Sequence, residues 1–236
     1  MPQQQADFIY TTSSRQQGNM SLFYGETKDA LRNREGFLRE IGIDYRSLVS
    51  SQQVHKSGIK YVKEQDRGKG ALSYATAIAD TDALVTDKKN LPLAVFTADC
   101  LSIFLYDHKT PAICLVHAGW RSTKENIAAK TIRLMQKEFN THSEDLSVSF
   151  GPAIRSCCYE VGGDFSNFFP DSVIERNSRY YLDLVRINKK QILDLGAREA
   201  NILDAGRCTY CQNEDFFSYR REGKSCGRMI SVIILR

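Results

Sequence analysis

Two histidines and a cysteine stand at the ends of apolar runs in this sequence. His55 closes Ser51-Gln52-Gln53-Val54, Cys100 follows Thr97-Ala98-Asp99, and His117 follows the run from Ala112 to Val116. Each alone has an ordinary explanation. Free cysteine is among the most buried residue types, and a lone histidine at a strand end is usually structural or solvated. As a set they offer more. Two imidazoles and a thiolate bind zinc and leave the fourth tetrahedral position open, which is the catalytic arrangement. The same residues also make a metal-free pair, with Cys100 as nucleophile and His117 or His55 as base. The intervals between them are far too wide for a zinc finger, and spacing alone does not bring them together.

The neighbours of these residues add candidates. His117 runs into Ala118-Gly119-Trp120-Arg121, where small residues allow close approach to the backbone. A helix beginning after Trp120 would present unpaired N–H groups to an oxyanion, with Arg121 as a charged clamp. Asp99 directly precedes Cys100 and is the preferred residue for orienting an imidazole or holding substrate; Asp82 fits a turn cap equally well. Arg220 and Arg221 precede a glycine-containing turn and are either solvated charges or anion contacts. Cys208-Thr209-Tyr210-Cys211 has the CxxC spacing of a metal or redox motif. No second CxxC accompanies it, although Cys157-Cys158 and Cys226 are candidates to lie nearby, and incidental thiols are the favoured reading.

The elements that must hold these residues are legible in part. Lys28 to Ile41 reads as a helix. Ser50 to Val54 and Ile59 to Val62 read as short strands, and Lys63 to Ala79 as a long surface loop. Leu91 to Phe96, Ser102 to Tyr106 and Ala112 to Val116 are apolar runs of strand length, the last two joined by a turn at Asp107-His108-Lys109-Thr110-Pro111. Lys124 to Phe139 reads as an amphipathic helix, with Ser122 to Glu125 as a capping box. Leu146 to Phe150 is a strand, Leu182 to Ala200 contains a second helix, and Ile230 to Leu235 is a buried strand. Residues 11–20 read as a loop. Strands in runs between helices favour α+β with mixed sheets over a doubly wound fold.

Composition sets the outer bounds. Of 236 residues, 42% are hydrophobic and 25% charged, which is ordinary for a globular chain with a sizeable core. A net charge of +4 with scattered basic residues suits small anions and does not form the stripe that nucleic acid requires. No signal peptide and no apolar run long enough to span a bilayer is visible, so the expectation is a cytoplasmic protein with no membrane partner. Seven cysteines, an odd number, then fit a reducing compartment.

Several motifs occur in one order: Gln53-Val54-His55, Asp80-Thr81-Asp82-Ala83, Thr97-Ala98-Asp99-Cys100, His117-Ala118-Gly119-Trp120-Arg121, Gly151-Pro152-Ala153-Ile154 through Cys158-Tyr159-Glu160-Val161, and Phe217-Ser218-Tyr219-Arg220-Arg221 through Gly227-Arg228. Together they resemble the YfiH family, also labelled a laccase-domain, polyphenol oxidase or purine nucleoside phosphorylase family. The match runs from about Thr11 to the last residue. The resemblance implies one catalytic domain over residues 1–236, with a fold similar to a toxin deamidase domain. It implies zinc on His55, Cys100 and His117, copper being the older alternative. The implied reactions are phosphorolysis of adenosine, inosine and methylthioadenosine, and deamination of adenosine. The partners are then a nucleoside and phosphate, with Arg121, Asp99 and Arg220 as substrate contacts, in a monomer or weak homo-oligomer. Ser122 and Lys56 replace glycines usual in the family, and the N-terminal motif is degenerate in Thr11 to Met20.

Overall fold

The apolar runs pair into two large sheets that share one core. The computed structural model describes residues 3–5 and 7–236. In chain order the first elements are β1 (Gln3–Gln5), β2 (Phe8–Thr12), α1 (Thr27–Glu40), β3 (Val49–Ser50), β4 (Ile59–Tyr61), β5 (Ala83–Thr86), β6 (Leu93–Thr97), β7 (Leu101–Asp107) and β8 (Ala112–Ala118). There follow α2 (Trp120–Lys124), α3 (Ile127–Phe139), β9 (Leu146–Phe150), β10 (Glu160–Val161), β11 (Val173–Arg176) and β12 (Arg179–Leu182). The last are α4 (Leu184–Leu193), β13 (Ile202–Asp204), α5 (Tyr219–Glu222) and β14 (Met229–Leu235).

One sheet has the order β1-β2-β14-β6-β3 and the other β13-β9-β7-β8-β5-β4. A small third sheet is β10-β12-β11. Most neighbours are antiparallel, but β3–β6, β4–β5 and β9–β13 are parallel. The fold is α+β with mixed sheets and flanking helices, as the order of elements predicts.

Strand β7 shows why the runs are continuous rather than alternating. Its side chains point to opposite faces in turn. Leu101, Ile103 and Leu105 meet Ile127, Ala128, Ile132 and Met135 of α3. Phe104 and Tyr106 meet Phe8, Val95 and Ile233 of the other sheet. The far face of that sheet packs Ala94, Val232 and Ile234 on Phe37 and Leu38 of α1. The layers are therefore helix, sheet, sheet, helix, and both faces of each sheet are covered. Truncating a wholly buried side chain such as Leu105 to alanine costs about 2–5 kcal/mol. No helix among the described residues is long and apolar enough to cross a membrane.

Three local departures from the sequence reading matter for the site. The expected helix from Lys124 to Phe139 is two helices, parted at Asn126 with φ +59°. The first starts four residues earlier, and Ser122 lies inside it, its hydroxyl bonding the carbonyls of His117 and Gly119 instead of capping. The strand expected through Val54 ends at Ser50, because the N–H groups of Val54, His55 and Lys56 all turn to the Asp82 carboxylate. Residues 8–12, partly assigned to a loop, form β2 against β14.

Candidate metal centre

Asp82 organises the site. It is fully buried just ahead of β5. Its carboxylate accepts from the backbone N–H of Val54 at 3.1 Å, His55 at 3.0 Å and Lys56 at 3.0 Å, and its Oδ1 lies 2.7 Å from Nδ1 of His117. The three N–H bonds wrap the loop around one anion and hold His55 at φ +58°, a left-handed conformation rare for a residue with a Cβ. Cys100 sits in the tight link between β6 and β7, straight after Asp99, which is itself at φ +88°. His117 lies near the end of β8, paired with Ser102 of β7. Backbone strain of this kind persists where the surroundings over-determine it, and it collects at functional sites.

The outcome is convergence. The ligand atoms of His55, Cys100 and His117 lie within 4.8 Å of one another, and the two imidazoles meet edge to face with centroids 4.8 Å apart. Gly119 forms the floor: a Cβ there would stand 3.1 Å from the Cys100 sulfur and 3.2 Å from Cδ2 of His55. Burial pushes the Cys100 thiol up, but the histidines outweigh it, His117 foremost, and bring it down to about 6. Burial likewise pulls His117 down, while Cys100 and Asp82 raise it to about 9. With Nδ1 engaged by Asp82, Nε2 is the nitrogen left for a metal. The donor set therefore fits a borderline-soft ion such as zinc, with an imidazole oriented by a carboxylate as metal-bound histidines usually are.

Of the two acids, the sequence reading preferred Asp99 as the partner of an imidazole. The structure puts Asp82 there. Asp99 is spent elsewhere, its Oδ1 accepting from the Thr209 hydroxyl and its Oδ2 from the Arg220 N–H, both at 2.7 Å. It anchors the segment carrying Arg220 to the link that carries Cys100.

The centre opens on a cavity of about 630 Å³ whose wall includes Phe23, Tyr24, Trp120, Arg121, Tyr159 and Arg220. A second hollow of about 530 Å³ shares Trp120, Tyr159 and Arg220 with it. Arg220 donates to the Glu160 carbonyl at 2.7 Å and lies over the Tyr159 ring. Arg121 stacks on Trp120 at 4.4 Å. It belongs to α2, whose five residues do not make the anion-binding helix start that was expected beside it. Arg221 points away, tying down the carbonyls of Thr209, Tyr210 and Phe216.

Residues 10–236 match the family model described as "Multi-copper polyphenol oxidoreductase laccase". The chain is 34% identical over 225 residues to "Purine nucleoside phosphorylase YlmD" of Geobacillus stearothermophilus, covering 91% of this chain and 82% of that one. It is 30% identical over 227 residues to "Adenosine deaminase RL5" from an unknown prokaryotic organism, covering 91% and 86%. The crystal structure of the Bacillus licheniformis hypothetical protein YfiH superposes with a TM-score of 0.92 at 28% identity, covering 97% of this chain and 93% of that one. The chain belongs to the YfiH/YlmD family.

The multi-copper description of this YfiH/YlmD family model meets a plain obstacle here. The chain has four histidines. His108 lies in the turn between β7 and β8, at the opposite end of β8 from His117, and His142 precedes β9, whose Leu146 pairs with Asp107 beside that same turn. Two imidazoles are left for the centre, too few for a cluster of copper ions. Apart from Trp120, the aromatic wall of the cavity is not legible in the sequence, since Phe23, Tyr24 and Tyr159 come from loops that carry no periodicity. The adjacent pair Phe23-Tyr24 is the available signal, because an aromatic pair in a polar loop has no core to join, and the structure leaves Phe23 exposed.

Proposed function

We propose that the centre binds one zinc ion on His55, Cys100 and His117, within one catalytic domain. The surrounding cavity then serves phosphorolysis of adenosine, inosine and methylthioadenosine, and deamination of adenosine. The observation that carries this is the placement of three converging donor atoms on the wall of a cavity large enough for a nucleoside. Relatives named for both activities support it.

Zinc with three protein ligands supplies a Lewis acid with one open position. The residues supply the rest. Asp82 fixes the His117 tautomer and ring plane. Trp120 and Tyr159 offer aromatic faces for a purine. The Arg121 side chain makes no hydrogen bond or ion pair among the described residues, which leaves its fork for phosphate, with Arg220 adjoining through the shared wall. In phosphorolysis a phosphate oxygen bonds C1′ as the glycosidic bond breaks, and the base departs with the electron pair. In deamination water replaces the amino group, which leaves as ammonia. Seven cysteines, none of them in a disulfide among the described residues, suit an enzyme of a reducing compartment such as the cytoplasm.

The test is metal analysis beside an assay of adenosine plus phosphate, followed for adenine, inosine and hypoxanthine. Zinc content should fall by about one equivalent, together with activity, in His55→Ala, Cys100→Ala and His117→Ala, given three protein ligands to one ion. One observation favours a second reading. The histidines lower the Cys100 thiol while Cys100 and Asp82 raise His117, which favours a thiolate–imidazolium pair in the metal-free protein. Cys100 is then the nucleophile of a thiol hydrolase. Full turnover by metal-free protein in excess chelator, with a covalent adduct on Cys100, would establish that reading and remove zinc from the mechanism.

A further inference from the structure

We infer that Cys157, Cys158, Cys208 and Cys211 form a second metal site, a closed tetrathiolate that holds one structural zinc ion and clamps two loops together. Their four sulfur atoms lie within 4.8 Å of one another. The Cys211 sulfur is 3.2 Å from that of Cys158 and 3.6 Å from that of Cys157. Zinc bonded to four thiolates at about 2.3 Å sets its sulfurs about 3.8 Å apart at the corners of a tetrahedron. The spacing found suits one ion at the centre. It is too tight for a polynuclear cluster, whose several iron atoms must lie between the cysteines.

The local backbone is built for convergence. Adjacent cysteines on a strand would point to opposite faces. Cys157 and Cys158 instead lie in a turn closed by the N–H groups of Cys158 and Tyr159 on the Arg155 carbonyl, so both thiols reach one centre. Cys208 to Cys211 make a second turn, closed by the Gln212 N–H on the Cys208 carbonyl. The turns are brought side by side by a parallel bridge between Ala153 and Cys208. An ion pair of Arg155 with Asp204, two bonds at 2.8 Å, flanks the same junction.

Nothing about this cluster suits catalysis. All four positions would be filled by protein, as in structural rather than catalytic zinc sites. None of the four cysteines lines the cavity around His55. What the cluster joins is informative. Thr209, inside the second turn, bonds Asp99 beside Cys100. Tyr159, next to Cys158, forms part of the cavity wall. The clamp therefore fixes the wall and the link to the candidate centre without touching substrate.

The experiment uses the full chain with the other centre removed, as His55→Ala/Cys100→Ala/His117→Ala, so that failure at either site is read separately. Purified under reducing conditions, this variant should retain about one zinc per chain. Adding Cys208→Ser and Cys211→Ser should abolish it. Cobalt substituted into the wild type and into the triple variant should show the intense sulfur-to-metal absorption of a four-thiolate site in both, a readout that survives if a cysteine variant misfolds. Exposed Cys157→Ser, the mildest change, should release zinc to a competing chelator faster than the parent. Three results overturn the inference: a triple variant without zinc after growth in zinc-supplemented medium, zinc that persists without Cys208 and Cys211, or differential alkylation that finds a Cys158–Cys211 disulfide in freshly prepared reduced protein.

Discussion

The two cysteine-containing clusters are assembled by opposite means. His55, Cys100 and His117 come from a loop, a link between two strands and the end of β8, and the surroundings that hold them are costly: a buried carboxylate, a left-handed backbone, a glycine where a side chain would be a tight fit. The four cysteines come from two neighbouring turns near the surface, with two of them exposed. The first set has three donors and faces a cavity; the second has four and faces none. A site that must keep a coordination position vacant needs the fold to hold its donors. A site that fills every position can use its metal to hold the fold.

The largest expected contrast comes from exchanging the damage. His117→Ala or Cys100→Ala should cut turnover by roughly a thousandfold or more, as for groups that act as a unit, while the melting temperature stays within a few degrees. Cys208→Ser should do the reverse, lowering Tm by roughly 5–10 °C and leaving most activity per folded molecule. Calorimetry and steady-state rates on the same preparations check both halves, and a matched loss of stability in both variants would erase the distinction. A smaller effect should come from Asp82→Asn, which spoils the His117 tautomer. Metal affinity at the three-donor centre should fall roughly 10–100-fold, with the four-cysteine zinc unmoved in a competition titration.

Arg121→Ala sharpens the picture on the substrate side. Loss of a charge-assisted contact should raise the KM for phosphate by roughly tenfold and spare deamination. Equal loss of both activities would make Arg121 a packing residue on Trp120. The smallest effect is expected from Gly119→Ala, whose methyl group would press on Cys100 and His55 at 3.1 and 3.2 Å. A few-fold fall in turnover is expected, with a visible change in the cobalt spectrum of that centre alone.

How much of this the sequence discloses depends on how local the cause is. Leu146–Phe150 reads off to the residue, and β7 and β8 within two at each end, because their apolar runs are bounded by turn residues. The break at Asn126 does not, because Ser122 to Glu125 carries a capping pattern whose serine bonds backwards instead. The hairpin of β11 and β12 was missed although Asn177 and Ser178, both at positive φ, make its turn; its strands are short, and Glu175, Arg176 and Arg179 interrupt their apolar pattern. His55, Cys100 and His117 were nameable from motif order. Choosing Asp82 over Asp99 was not, since it depends on which carboxylate the folded loop encloses. CxxC was legible at Cys208, while its partners lie some fifty positions upstream and meet it only through the Ala153–Cys208 bridge.

The place of β14 has a consequence for how the protein is made. It lies between β2 and β6, and Ser231 faces Thr12 across 219 residues of chain. A ribosome therefore releases β2 and β6 long before their common partner exists. Until residues 229–235 emerge, both strands keep an unsatisfied hydrogen-bonding edge, and the apolar residues due to be packed by β14 stay wet. The five-stranded sheet closes as a late event of high contact order. A nascent chain stalled before Met229 should be the species that chaperones retain and that aggregates when they are absent.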